Sequence, residues 1–101
     1  MSKSFNVVQN EANELPNNIE AEQSVIGSIL ISNEIFDEIN IIVNSKNFYD
    51  PMHQKIFNAI EKLIYSGMLA NPITLKNYFE KEKDEINVPD YLVKITKFST
   101  S

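Results

Sequence analysis

The 101-residue sequence is poor in the residue types from which many active sites are built. It contains no cysteine, which excludes disulfide bridges, thiolate zinc sites and cysteine nucleophiles among these residues. One histidine cannot build a usual zinc site, and two glycines cannot supply the glycine-rich loops of nucleotide-binding proteins. No run approaches the roughly 18 apolar residues of a membrane span, and no apolar signal segment opens the chain. We therefore expect a soluble, cytoplasmic protein without cofactor or metal.

The charge balance argues against nucleic acid as a direct partner. Nine lysine and arginine residues against fourteen aspartate and glutamate residues give a formal net charge of −5. Proteins that bind a phosphate backbone draw much of their affinity from cations that displace counterions. We therefore expect no tight DNA binding by this chain.

The composition that remains is that of a single globular domain. Hydrophobic residues make up 43% of the chain, and the length is near the small end of what buries its own core. The first fifteen residues are polar and sustain no hydrophobic period. We expect a flexible N-terminal arm over residues 1–15 and one folded domain over residues 16–101.

Two helices are predicted in the first half of this domain. Asn17 and Glu20 have the spacing of a capping box at the start of the first, and the mid-helix Gly27 predicts a backbone packed close against it. Its apolar face comprises Ile19, Val25, Ile26, Ile29 and Leu30. Ser32 or Asn33 caps the second, whose expected stripe is Ile35, Phe36, Ile39, Ile42 and Val43. A short strand is the alternative for INIIV, but alternation would bury Asn40 with Ile42.

Three further helices are predicted in the second half. Asp50 caps the third, Pro51 opens it and Gly67 ends it, with its core face formed by Met52, Ile56, Phe57, Ile60, Leu63 and Ile64. Thr74 is expected to cap a fourth helix that carries Leu75, Tyr78 and Phe79. Pro89 begins a fifth with Tyr91, Leu92, Ile95 and Phe98 on one side. The sequence thus predicts an all-α fold, a compact orthogonal bundle of about five helices.

Few side chains on these helices or between them are of types that suggest a catalytic, metal-binding or partner-binding site. The connector pair Phe48 and Tyr49 either packs onto the third helix or contacts a partner. We expect His53 to be a half-exposed helical residue. Carboxylate pairs such as Glu20 and Glu22 are explained by helix starts and solvent faces rather than by a converging site. The charged run over residues 80–85 is expected to be solvated, and Ser24 and Ser28 have no histidine within helical reach. By elimination, the chain is predicted to be a binding or scaffolding module rather than an enzyme.

Three blocks of the sequence carry a resemblance to a known family. They are LPNNIEAEQSVIGSILISNEIFDEI, FYDPMHQKIFNAIEKLIYSG and PITLKNYFE, and Tyr91 with Leu92 fits a tyrosine–leucine pair in the next helix. At this spacing they closely resemble the N-terminal domain of bacterial replicative DNA helicases of the DnaB type, over about residues 15–98. The sequence departs from the family at Asn71, where an aspartate is usual, and at residues 87–90, NVPD, where a glycine pair is usual.

The resemblance implies a role in assembly and docking. In the family this domain forms the collar of a hexameric helicase, recruits the C-terminal domain of primase, contacts other helicase subunits and can contact a helicase loader. ATP and Mg²⁺ bind to a RecA-like domain whose motifs have no counterpart in these residues. Ser101 falls where the family continues into a helical hairpin, so we expect a fragment that lacks this hairpin and is a monomer or a weak self-associator.

The primase surface is not specified by the sequence, but one helical face is compatible with docking. It comprises the polar residues of the third helix, Gln54, Lys55, Asn58, Glu61 and Lys62, for which a merely solvated face is the alternative. Two other functions stay open at this point. One is a free-standing helical adaptor or phage-type regulator of the replisome, and the other is a small enzyme whose best candidate residue would be His53.

Overall fold

The computed structural model describes residues 18–84 and 87–100, with side chains described as far as Lys97. Within these residues the chain forms five α-helices and two short 3-10 helices and contains no strand, which confirms the all-α prediction. The α-helices are α1 (Ile19–Ile31), α2 (Phe36–Ile42), α3 (Pro51–Tyr65), α4 (Pro72–Lys81) and α5 (Val88–Thr100); the 3-10 helices are Asn33–Ile35 and Ser45–Asn47. The predicted arm, residues 1–15, lies outside the described part.

Helix α1 begins one residue later than the predicted capping box. Asn18 is the N-cap, and its side-chain oxygen accepts a hydrogen bond of 3.0 Å from the backbone N–H of Ala21. Asn17 itself lies outside the described residues. Ile26, Ile29 and Leu30 are buried as predicted. Gly27 is also buried, while the close backbone contact expected there stays a prediction.

Helix α2 is confirmed as a helix, but its predicted apolar stripe is wrong at one position. Phe36 is buried, and Ile35, Ile39 and Val43 pack against the core. Ile42 is instead 79% exposed. The segment first passes through a 3-10 turn, so the α-helix comprises only seven residues and turns Ile42 away from the interior.

Helix α3 has the boundaries that its sequence signals predict. Asp50 accepts a hydrogen bond of 2.8 Å from the N–H of Met52, and Pro51 occupies the first turn. At the other end, the N–H of Met68 donates to the carbonyl of Leu63 and that of Gly67 to the carbonyl of Ile64. This is a Schellman motif, in which Gly67 takes φ +81°, a value that favours glycine.

Helix α4 is capped by Asn71 and not by Thr74, which corrects the prediction. The side chain of Asn71 accepts from the N–H groups of Ile73 and Thr74, and the Thr74 hydroxyl accepts from the N–H of Asn71 at 2.9 Å. Thr74 is thus the third residue of a reciprocal capping box whose first helical residue is Pro72.

The core lies where α1, α3, α4 and α5 meet. Helix α5 packs against α1 and α4, and α3 packs against the same two helices. Phe57 is fully buried, with its ring centroid 5.5 Å from that of Phe36 and 5.1 Å from that of Phe48. Phe48 therefore joins the core, which is the first of the two alternatives for this pair, whereas its neighbour Tyr49 is exposed.

Two isoleucines provide a matched test of this core. Ile60 is fully buried in α3 and Ile42 is exposed at the end of α2. We expect Ile60→Ala to lower the free energy of unfolding by roughly 2–5 kcal/mol because it leaves a cavity. Ile42→Ala should change it by less than about 0.5 kcal/mol. Urea unfolding followed by circular dichroism measures both, and equal losses would contradict the assignment of Ile42 to the surface.

Candidate functional site

A buried polar network joins three helices of the bundle. The side chains of Glu22 on α1 and His53 on α3 are fully buried, and a Glu22 carboxylate oxygen lies 2.8 Å from His53 Nδ1. On the other side of the ring, His53 Nε2 lies 2.5 Å from the hydroxyl of Tyr91 on α5. The amide of Gln23 donates to the same hydroxyl at 3.0 Å. One imidazole thus connects α1 with α5.

The hydrogen-bond partners assign a direction to every bond in this network. The Glu22 carboxylate also accepts from the backbone N–H groups of Tyr49, at 2.6 Å, and Asp50, at 3.3 Å, so all of its partners are donors. A neutral His53 ring therefore carries its proton on Nδ1 and accepts from the Tyr91 hydroxyl at Nε2. Gln23 completes the chain by donating to the Tyr91 oxygen. No other tautomer satisfies all of these groups at once.

The environment of Tyr91 favours the protonated phenol that this arrangement requires. Burial raises the pKa of the Tyr91 phenol above its ordinary value, and the negative charges of Asp50 and Glu22 act in the same direction. The hydrogen bond from Gln23 lowers this pKa by less than burial raises it, but by more than either charge does. The Tyr91 and His53 rings also stack, with centroids 5.7 Å apart and planes inclined by 28°.

Two predictions from the sequence are wrong at this site. His53 is not half-exposed but fully buried, because α3 begins at Pro51 and its first turn faces α1 and α5. Glu22 is not accounted for by its place near a helix start, since its carboxylate lies inside the protein with three donors. The sequence did carry a signal for both residues. Glu22 continues the buried row of Ile26 and Ile29, and His53 continues that of Ile56, Phe57 and Ile60.

This network does not have the form of a catalytic centre. Both nitrogens of the His53 imidazole are engaged by protein groups and the ring has no exposed surface, so a substrate cannot reach it. Among the residues that the structure describes, no group of three or more histidine, aspartate or glutamate side chains is arranged to hold a metal ion. None of the helices described is both long enough and apolar enough to cross a membrane.

The predicted docking residues lie on one side of α3 but are not equally available. Lys55, Asn58 and Lys62 are exposed, and Glu61 is half-buried. Gln54 is half-buried as well, because its amide donates to the backbone carbonyl of Phe48 at 2.6 Å. Lys55 forms an ion pair of 3.2 Å with Asp84 in the connection that follows α4. The side chains most available on this face are therefore Asn58 and Lys62.

A groove of about 410 Å³ lies beside this face, between the C-terminal half of α3 and α4. Leu63, Met68 and Tyr78 contribute its apolar surface, and Lys62 and Lys81 contribute cations. Exposed apolar side chains continue beyond it at Leu69 and Ile73. The periodicity of α3 and α4 does not predict this groove, because the capped turn between the two helices positions its walls.

The role of Glu22 can be tested against Glu20, an exposed carboxylate two residues earlier in the same helix. We expect Glu22→Ala to lower the free energy of unfolding by roughly 3–5 kcal/mol, because it leaves buried donors without acceptors. Glu20→Ala should cost less than about 1 kcal/mol, the usual worth of a carboxylate near a helix start. Chemical denaturation of both variants measures the difference. Similar losses for the two would show that the Glu22 network contributes little.

Comparison with known proteins identifies the family. Residues 14–101 match the DnaB-like helicase N-terminal domain. A replicative DNA helicase DnaB from Rickettsia felis is 40% identical over 87 residues, and one from Rickettsia typhi is 39% identical over the same length. One from Buchnera aphidicola is 36% identical over 69 residues, which are 68% of this chain and 15% of that protein.

These alignments cover most of this chain and a small part of its relatives. The Rickettsia matches include 84% of this chain but only 18% of the length of each helicase. The resemblance read from the three sequence blocks is thereby confirmed. The chain belongs to the family of DnaB-like helicase N-terminal domains.

Proposed function

We propose that this chain is a non-catalytic assembly and docking domain of a replicative DNA helicase. The observation that carries the proposal is the alignment of 84% of the chain with the helicases of Rickettsia. In this proposal the whole protein is a hexamer that unwinds duplex DNA with ATP hydrolysis. ATP and Mg²⁺ are bound outside these residues, and the domain described here contributes to the collar.

The polar groups of the domain support a docking role over a catalytic one. Its buried titratable side chains, Glu22 and His53, are used to hold helices together. The surfaces available for binding include the outer side of α3 and the groove beside it. The formal net charge of −5 makes a protein a better partner than DNA.

We propose the C-terminal domain of primase as the partner of this surface, with other helicase subunits and a helicase loader as further partners. Lys62 places an ammonium group on the outer side of α3 beside Asn58. Lys55, whose ammonium pairs with Asp84, adds a second at the edge of this face. These groups suit a partner that presents carboxylates opposite them. Charge complementarity at the rim of an interface contributes strongly to specificity. We therefore expect substitution of these lysines to weaken binding of the correct partner.

The test is a titration of the isotope-labelled chain with the C-terminal domain of primase from the same organism, followed by amide shifts in NMR. We expect saturable binding, with the shifted amides on α3 near Asn58. Lys55→Glu combined with Lys62→Glu should weaken binding by about tenfold, because attractive rim charges become repulsive. Lys94→Glu, an exposed position on α5, is the matched control and should bind like the wild type.

Two outcomes would contradict parts of this proposal. Absence of binding at about 500 µM would contradict recruitment of primase by these residues. A dissociation constant above that concentration is too weak for a specific contact. Binding that is unaffected by the double lysine variant would place the primase surface elsewhere on the domain.

A further inference from the structure

Helix α2 presents an outward face that the described residues of the chain leave uncovered. Ile41 and Ile42 are 82% and 79% exposed, and Asp37 and Glu38 on the same helix are exposed as well. At 3.6 residues per turn, Asp37, Ile41, Glu38 and Ile42 follow one another around an arc of about 140°. Acidic and apolar side chains therefore alternate across one side of the helix.

The groove between α3 and α4 has the opposite character. Its apolar surface comes from Leu63, Met68 and Tyr78, and the ammonium groups of Lys62 and Lys81 line it together with one carboxylate, that of Glu82. No residue of α2 lines the groove. Within the described part of the chain, neither of these lysines and neither carboxylate of the α2 face belongs to an ion pair.

We propose that the groove is the docking site for helix α2 of a second copy of this chain. Ile41 and Ile42 would cover the apolar surface formed by Met68 and Tyr78. Asp37 and Glu38 would lie against the lysines of the groove. This is the helix-in-groove mode of recognition, in which apolar side chains give affinity and flanking charges give orientation.

The contact is weak in isolation and gains strength from tethering. A helix of seven residues buries far less surface than a stable protein interface requires. Copies held in one assembly, however, meet at a high effective concentration, so a weak contact between neighbours becomes occupied. The inference rests on the proposed assembly role and deepens it by naming the two surfaces through which copies of the domain meet.

The first experiment measures self-association of the 101-residue chain. Amide spectra recorded between about 20 µM and about 1 mM should show concentration-dependent shifts in two separate regions, around Ile41 and around Met68 and Tyr78. Sedimentation velocity over the same range should show a rising average mass. A chain that remains monomeric at about 1 mM, or whose shifts avoid both regions, overturns the proposal.

Charge reversal then tests the pairing of the two surfaces. Lys62→Glu with Lys81→Glu damages the groove, and Asp37→Lys with Glu38→Lys damages the helix face. Each double variant alone should associate about tenfold more weakly than the wild type. In an equimolar mixture, the groove variant supplies an intact helix face and the helix variant supplies an intact groove. The mixture should therefore recover association if charges on the helix face meet charges in the groove.

The chain with all four substitutions adds a stricter test, since its exchanged charges are again complementary. It should associate more tightly than either double variant. Lys94→Glu, far along the sequence on α5, controls for a general effect of net charge and should associate like the wild type. Failure of both the mixture and the fourfold variant to recover association overturns the pairing.

The self-association experiments can fail or succeed independently of the primase-binding experiment. The Asp37→Lys and Glu38→Lys variant leaves α3 unchanged, so its binding to the primase domain should equal that of the wild type. Loss of self-association with primase binding intact supports the two-surface contact. Self-association that is unchanged by every variant overturns it and leaves the primase proposal standing.

Discussion

The hydrogen bonds of one buried imidazole connect the helices on which the rest of the fold depends. Glu22 accepts from His53 and from the two backbone N–H groups at residues 49 and 50, just before α3. The first turn of α3 is thereby fixed against α1, while Tyr91 fixes α5 to the same ring. Because an unsatisfied buried carboxylate costs several kcal/mol, other packings of these helices are disfavoured. A core of aliphatic and phenylalanine side chains alone would specify one arrangement less strictly.

Polar side chains also position the connections between helices. The amide of Asn33 donates to the carbonyls of Ile29 and Ala70, and its oxygen accepts from the N–H of Ala70 at 2.8 Å. This ties the end of α1 to the loop before α4, where Asn71 begins the next capping box. The groove beside α3 is therefore built on a loop that is held at several points, and its walls do not need a partner to form.

The sequence predicted the helices better than it predicted the polar interior. Local signals were sufficient for α3, where Asp50, Pro51 and Gly67 act through the adjacent backbone. The predicted N-cap of α1 was one residue away from the observed Asn18, and that of α4 was three residues away from the observed Asn71. In both cases nearby residues were of types that are also good N-caps. His53 and Glu22 do continue the buried rows of α3 and α1, but an ionisable side chain is rarely buried without a partner. Their pairing across 31 residues, which makes the burial possible, leaves no trace in local periodicity. The exposure of Ile42 depends on the 3-10 turn before α2, which a helical wheel does not include.

The division between a fixed interior and an open surface is what a docking domain requires. The titratable groups inside hold the helices, so under the proposed docking role the surface would have its shape before a partner binds. Little free energy would then be lost in ordering that surface on binding. The two exposed surfaces of opposite charge, on α2 and beside α3, can then act independently of the network. Assembly and recruitment would share one rigid scaffold.

The most direct test of this account is the protonation state of the His53 ring, observed by long-range ¹H–¹⁵N correlation at neutral pH. We expect a single tautomer, protonated at Nδ1 and unprotonated at Nε2, in slow exchange with water because the ring is buried. An imidazole protonated at Nε2, or one that averages rapidly between tautomers, would show that Glu22 and Tyr91 do not hold this ring and would contradict the account.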